Sequence, residues 1–110
     1  MAKTIDLTGL RVIPLSQIPN QRLQCVVNGQ KLVITIAKRG ERLYMDVNCN
    51  SNPVSNGVLC LCGNSLVPYR DVNFTGDLFF IDLQNHNAIP DYKQFNTRFQ
   101  LVYLPKRWRE

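Results

Sequence analysis

The side chains with the greatest chemical potential in this sequence are four cysteines, Cys25, Cys49, Cys60 and Cys62, and a single histidine, His86. Structural zinc sites pair cysteines as Cys-x-x-Cys or join them to histidines at turn spacing. Here the nearest pair is Cys60-x-Cys62, which in a strand puts both thiols on one side. Cys25 and Cys49 stand alone, and His86 lies between Asn85 and Asn87, a setting that solvation explains. The thiols are expected to be reduced, buried and structural, as free cysteine is when it acts as a small hydrophobe. A disulfide in an extracellular particle is the alternative. Nucleophilic catalysis needs a base within hydrogen-bond reach of the nucleophile, and His86 is the sole histidine available. Asp71, Asp77, Asp82 and Asp91 fall at turns and strand ends, where Asp commonly bonds its own backbone. No catalytic residue, cofactor or metal is expected, and the chain is read as a non-enzyme.

The elements that carry these residues are strands. Leu23, Cys25 and Val27 alternate with Gln24, Val26 and Asn28, the period-2 signature of a half-buried strand. Asn28-Gly29 then supplies the turn signal of a two-residue type I′ hairpin. That loop places Val27 opposite Gln30, Cys25 opposite Leu32 and Leu23 opposite Ile34, with the apolar residues on one face. A slip of one residue would turn that whole set to the other face. Taking Arg39-Gly40 as the next loop predicts Lys38 opposite Glu41, Ile36 opposite Leu43, Ile34 opposite Met45 and Leu32 opposite Val47. Residues 22 to 49 therefore read as a meander with one dry and one wet face.

Beyond it, residues 49–53 are dense in turn formers and read as a loop. Residues 57–63 form a short, nearly all-apolar run that suits a strand buried on both faces. Further strands are predicted at 76–83 and 97–104, the last halted by Pro105, with a long loop from Gln84 to Asn96 between them. The reading is all-β: one small antiparallel β-barrel or sandwich of six to seven strands over residues 1–104, followed by a basic tail at 105–110.

A formal net charge of +5 admits acidic protein partners or nucleic acid. The cations are scattered, apart from Lys106-Arg107-Trp108-Arg109. A nucleic-acid-binding, OB-like β-barrel is the alternative function, with Arg42 and Tyr44 on the wet face, but Asp46 shares that face and aromatics do not interleave densely with cations. No run approaches the length of a membrane span, and residues 1–6 lack the apolar core of a secretion signal. The chain is expected to remain in the compartment where it is made, with no membrane partner.

Several stretches occur in an ordered series: Ile13-Pro14-Leu15, Pro19-Asn20-Gln21-Arg22-Leu23, Asn28-Gly29-Gln30, Leu43-Tyr44-Met45-Asp46-Val47, residues 76–82 and residues 98–104. Together they resemble the domain of the baseplate plug proteins of contractile-tailed phages, the cyanophage-type plug family, over about residues 10 to 104. Residues 48–53 depart from the simpler turn of that family. The resemblance implies a virion structural protein of the tail baseplate, assembled in the host cytoplasm, that plugs or bridges the central hub and tube lumen. The implied partners are baseplate hub, spike and tape-measure or tube proteins. It also implies several copies around the tail axis, three being one arrangement. Trp108 between Arg107 and Arg109 fits an interface anchor, since Trp and Arg are enriched at binding hot spots. The 84–96 loop, with Ile89, Tyr92 and Phe95, is expected to be a second interaction element, because its apolar groups need something to cover them.

Overall fold

The structure is a computed structural model that describes residues 9–67 and 73–106. Its first sheet is the meander. Strand β1 covers Arg11–Ile13, and the meander follows as β2 (Gln21–Val27), β3 (Gln30–Arg39), β4 (Arg42–Cys49) and β5 (Asn52–Leu59), in spatial order β2-β3-β4-β5. The chain then enters a second sheet with β6 (Asp77–Asp82) and β7 (Phe99–Leu104), ordered β1-β7-β6. All ladders are antiparallel. The two sheets do not close into a barrel, so of the two architectures expected it is the open, two-sheet one that forms.

The β2–β3 hairpin has the derived register: Leu23 faces Ile34, Cys25 faces Leu32 and Val27 faces Gln30. Asn28 (φ 50°) and Gly29 (φ 74°) both occupy the left-handed region that a type I′ turn demands. The β3–β4 register differs from the expected one by two residues. Ile36 faces Met45, Ile34 faces Val47 and Leu32 faces Cys49, and the ladder closes on Arg39 opposite Arg42. The reason lies in the turn. An Arg39-Gly40 loop of the I′ type would force Arg39 to positive φ, whereas in the observed Gly40-Glu41 loop Gly40 (φ 61°) takes that conformation and Glu41 stays outside it. A shift of two keeps every side chain on its face, so the dry face survives. The lost Lys38–Glu41 pairing is replaced by Arg39 lying over the Tyr44 ring, 5.7 Å from its centroid.

Residues 49–53 are not a loop. Asn50 (φ 51°) and Ser51 (φ 70°) make another two-residue turn, so β5 starts at Asn52 and carries Pro53 on an edge strand. The ladder to β4 is irregular between Met45 and Asn48, and the amide of Gly57 (φ 61°) donates to the Asp46 carboxylate there. The predicted strand at 57–63, buried on both faces, forms only in part: residues 57–59 are the end of β5, and the run is not buried on both faces. Only Cys60 in that run is buried, and it marks where the chain changes sheets. Its amide donates to Leu43 on β4 at 2.9 Å, and three residues later the Gly63 amide donates to Phe80 on β6 at 2.8 Å.

The inner faces share one core. Leu32, Ile34, Ile36, Met45 and Val47 from the first sheet meet Leu78, Phe80, Leu101 and Tyr103 from the second. The other face of the second sheet is also dry, with Phe79, Val102 and Leu104 buried and Leu10 and Ile81 packed on them. Tyr103 links the layers, donating to the Thr75 carbonyl at 2.6 Å and accepting from the Gln30 amide at 3.1 Å.

Candidate interaction surface

Among the described residues no group of three or more His, Cys, Asp or Glu side chains is placed to hold a metal. None of the four cysteines is in a disulfide, and the Cys49 thiol donates to Gln30 Oε1 at 3.6 Å. Burial pushes the Cys60 thiol up to about 12 and the Cys62 thiol to about 11, the latter helped by the Asp82 carboxylate. Burial also raises the Cys25 thiol. A thiol raised this way is a poor nucleophile at neutral pH, because the thiolate is the reactive form. His86 is exposed in a turn whose flanking Asn85 and Asn87 both adopt positive φ, the conformation Asn tolerates best after Gly.

Instead, the segment between β6 and β7 shapes a surface. Its start and end are pinned by Asp82, whose buried carboxylate accepts from Arg98 Nε at 3.0 Å and Nη2 at 3.1 Å, and from the amides of Gln84 at 2.9 Å and Ala88 at 3.1 Å. Asp91 caps a 3-10 turn at Tyr92–Gln94 by accepting from the Lys93 amide. Asn96 (φ 71°) exchanges side-chain hydrogen bonds with the backbone of Leu15, and Gln17 donates to the Phe95 carbonyl at 3.0 Å.

These ties place the expected interface residues differently from one another. Phe95 is fully buried and stacks on Phe80, with ring centroids 5.7 Å apart, so it belongs to this chain's own core and not to a partner's surface. The cover expected for the apolar groups of the 84–96 loop is, for Phe95, this chain's own core. Tyr92 is half-buried and Ile89 is 43% exposed. Arg107, Trp108 and Arg109 lie outside the described residues.

Tyr92 and Ile89 line a groove of about 460 Å³ against the β3–β4 turn, with Leu43 and Pro90 as further apolar walls and Lys38, Arg42, Lys93, Glu41 and Asp91 around them. Among the described residues, Lys38, Arg42 and Lys93 form no ion pair; the Lys93 ammonium instead sits 5.9 Å from the Tyr92 ring centroid. The sequence showed Tyr92 as a candidate but not Lys38 or Arg42, which are fifty residues away along the chain. An aromatic and an aliphatic side chain inside a polar rim match the composition of protein–protein contact patches.

The fold and this surface define a small, all-β, two-sheet domain with a polar-rimmed groove beside the β3–β4 turn. Residues 10–106 match the family model described as "Cyanophage baseplate Pam3 plug gp18", and the chain belongs to this family of phage baseplate structural proteins. No curated protein matches the chain.

Proposed function

We propose that this protein is a non-enzymatic plug or adaptor of a contractile phage tail baseplate, closing or bridging the central hub and tube lumen by packing against neighbouring proteins. The observation that carries this reading is the family match across residues 10–106. The fold supports it: a two-sheet domain with a core of its own, and a groove whose cations form no ion pair with any described residue. The partners are the hub, spike and tape-measure or tube proteins, and the place of action is the virion tail, reached by assembly in the host cytoplasm. Several copies around the tail axis, three for instance, accord with such a role. Tyr92 and the basic tail at 105–110, with Arg107, Trp108 and Arg109, are the proposed contact points.

The test is an assembly assay with the gene deleted and then restored. Baseplates should be missing or defective without the protein and recover with it. Tails of normal composition and infectivity in its absence would refute the proposal. Tight DNA or RNA binding by the isolated domain, weakening steeply with salt, would replace it with the nucleic-acid reading.

A further inference from the structure

Each sheet has two edges, and three of the four are closed or blunted. The free side of β6 is taken by the chain after the sheet crossing, where Gly63 and Leu66 donate to Phe80 and Leu78 at 2.8 Å. The β1 edge is only three residues long. The β5 edge carries Pro53 and an irregular ladder, both devices that discourage strand addition. Among the described residues nothing pairs with the β2 edge, and it has none of these devices. It runs for seven residues in unbroken register with β3, has no proline, and carries one charge, Arg22.

The hydrogen-bonding groups of that edge can be assigned. The two-residue turn makes Val27 and Gln30 a hydrogen-bonded pair, and such pairs alternate along an antiparallel ladder. Leu23, Cys25 and Val27 therefore spend their amides and carbonyls on β3. Those of Arg22, Gln24 and Val26 point away from β3, to the side on which no described strand pairs. Two further observations single out this edge: Val26 is 71% exposed, and Leu23 and Cys25 are only half-covered although they face the core.

We infer that two copies of this chain pair antiparallel through β2, about a two-fold axis at Gln24, to make one continuous eight-stranded sheet. The sequence of the strand is complementary to itself in this register. All seven residues overlap. Gln24 bonds Gln24 of the second copy, and Arg22 bonds Val26 in both directions, which uses every open amide and carbonyl. On the dry face Leu23 meets Cys25 of the second copy and each covers the other's exposed flank. On the wet face the single cation meets valine, so no like charges oppose. An axis at Arg22 would set two guanidiniums face to face, a destabilising arrangement, and axes at Leu23 or Cys25 would shorten the overlap. Self-complementarity of this kind is what an isologous interface requires. The pairing is a property of the free chain and does not rest on the baseplate reading.

The experiment is sedimentation equilibrium of the full chain from low micromolar to near-millimolar concentration, with oxidative cross-linking of Leu23→Cys. The wild type should move from one to two monomer masses as concentration rises. Leu23→Cys should give a covalent dimer through Cys25 of the second copy, because laterally opposed residues in a non-hydrogen-bonded pair lie about 4.5 Å apart at Cα, within disulfide reach. Gln24→Pro removes the central donor without touching the β3 ladder, and Val26→Lys sets a cation against Arg22. Each should hold the chain monomeric while leaving its circular dichroism unchanged. A wild type monomeric at every concentration with no Leu23→Cys cross-link would overturn the inference. So would a dimer unaffected by both Gln24→Pro and Val26→Lys, which would lie elsewhere. Protection of the Arg22, Gln24 and Val26 amides that arises only in assembled baseplates would give this edge to a foreign strand instead.

Discussion

Asp82 and Arg98 form a two-pronged ion pair, at 3.0 and 3.1 Å, across the ends of the segment that joins β6 to β7. The Arg98 hydrogen bonds, followed by those from the Gln84 and Ala88 amides, hold the Asp82 carboxyl well below the usual carboxylate range. Because its pKa is lowered on folding, the stabilisation is complete above the unfolded value of about 3.9 and is lost as pH falls further toward the folded one. Thermal melts should show a downturn in stability below that point that is flattened in Asp82→Asn. At neutral pH, Asp82→Asn should melt lower than wild type, since it leaves Arg98 without its counter-charge. Equal melts at pH 7 would show that the pair holds nothing together.

Phe95 should behave as a core residue. Phe95→Ala removes a fully buried ring stacked on Phe80 and is expected to cost about 3–5 kcal/mol in denaturant unfolding. A loss below about 1 kcal/mol would mean that the ring is free to serve a partner, as its polar sequence neighbours suggest.

Two glycines should respond unequally to alanine. At Gly29 (φ 74°) a new Cβ meets nothing within 4 Å, so Gly29→Ala is expected to cost only the left-handed penalty of about 1–2 kcal/mol. At Gly76 (φ 113°) the Cβ would run into the Leu104 carbonyl and the Tyr103 ring, so Gly76→Ala should cost clearly more. Urea titrations that rank the two in the opposite order would contradict the packing around Tyr103.

Thiol chemistry offers an independent check on burial. With Cys49 and Cys60 buried and the Cys60 and Cys62 thiols raised to about 12 and about 11, the native protein should react slowly with a disulfide reagent at pH 8. Denaturation should release all four thiols. Fast native labelling at Cys60 would place that residue outside the core.

The groove should matter for assembly and little for folding. Arg42→Glu and Lys93→Glu change exposed cations that form no ion pair with any described residue, so stability should stay within about 0.5 kcal/mol of wild type. Incorporation into baseplates should drop. Removing residues 106–110 should likewise leave the domain folded and weaken incorporation if Trp108 and its arginines anchor a partner. Normal incorporation of the groove variants would move the docking surface elsewhere.

The β2–β3 hairpin was readable from the amino acids alone because two independent signals coincide. Asn28-Gly29 selects the turn, and the alternation of Leu23, Cys25 and Val27 selects the face. The β3–β4 register was not, since a pattern of period two is blind to a slip of two, and the strain at Arg39 or Gly40 makes the choice. The first half of β5 escaped because an edge strand with Pro53 and a bulge at Gly57 has no clean alternation to detect. The strands at 77–82 and 99–104 were visible through their β-branched and aromatic residues, but the partner of β7 on its other side, three-residue β1, has too little sequence to declare itself. Phe95 sits among polar neighbours, and Asp82 and Arg98 look local in the chain. Phe95 owes its role to Phe80 and Gln17, and Asp82 and Arg98 owe theirs to each other across the β6–β7 connection. The amino acids by themselves determined where the chain alternates and where it turns, because those are effects of near neighbours. Which surface stays open, at the Tyr92 groove and along β2, was decided by tertiary contacts between residues far apart in sequence.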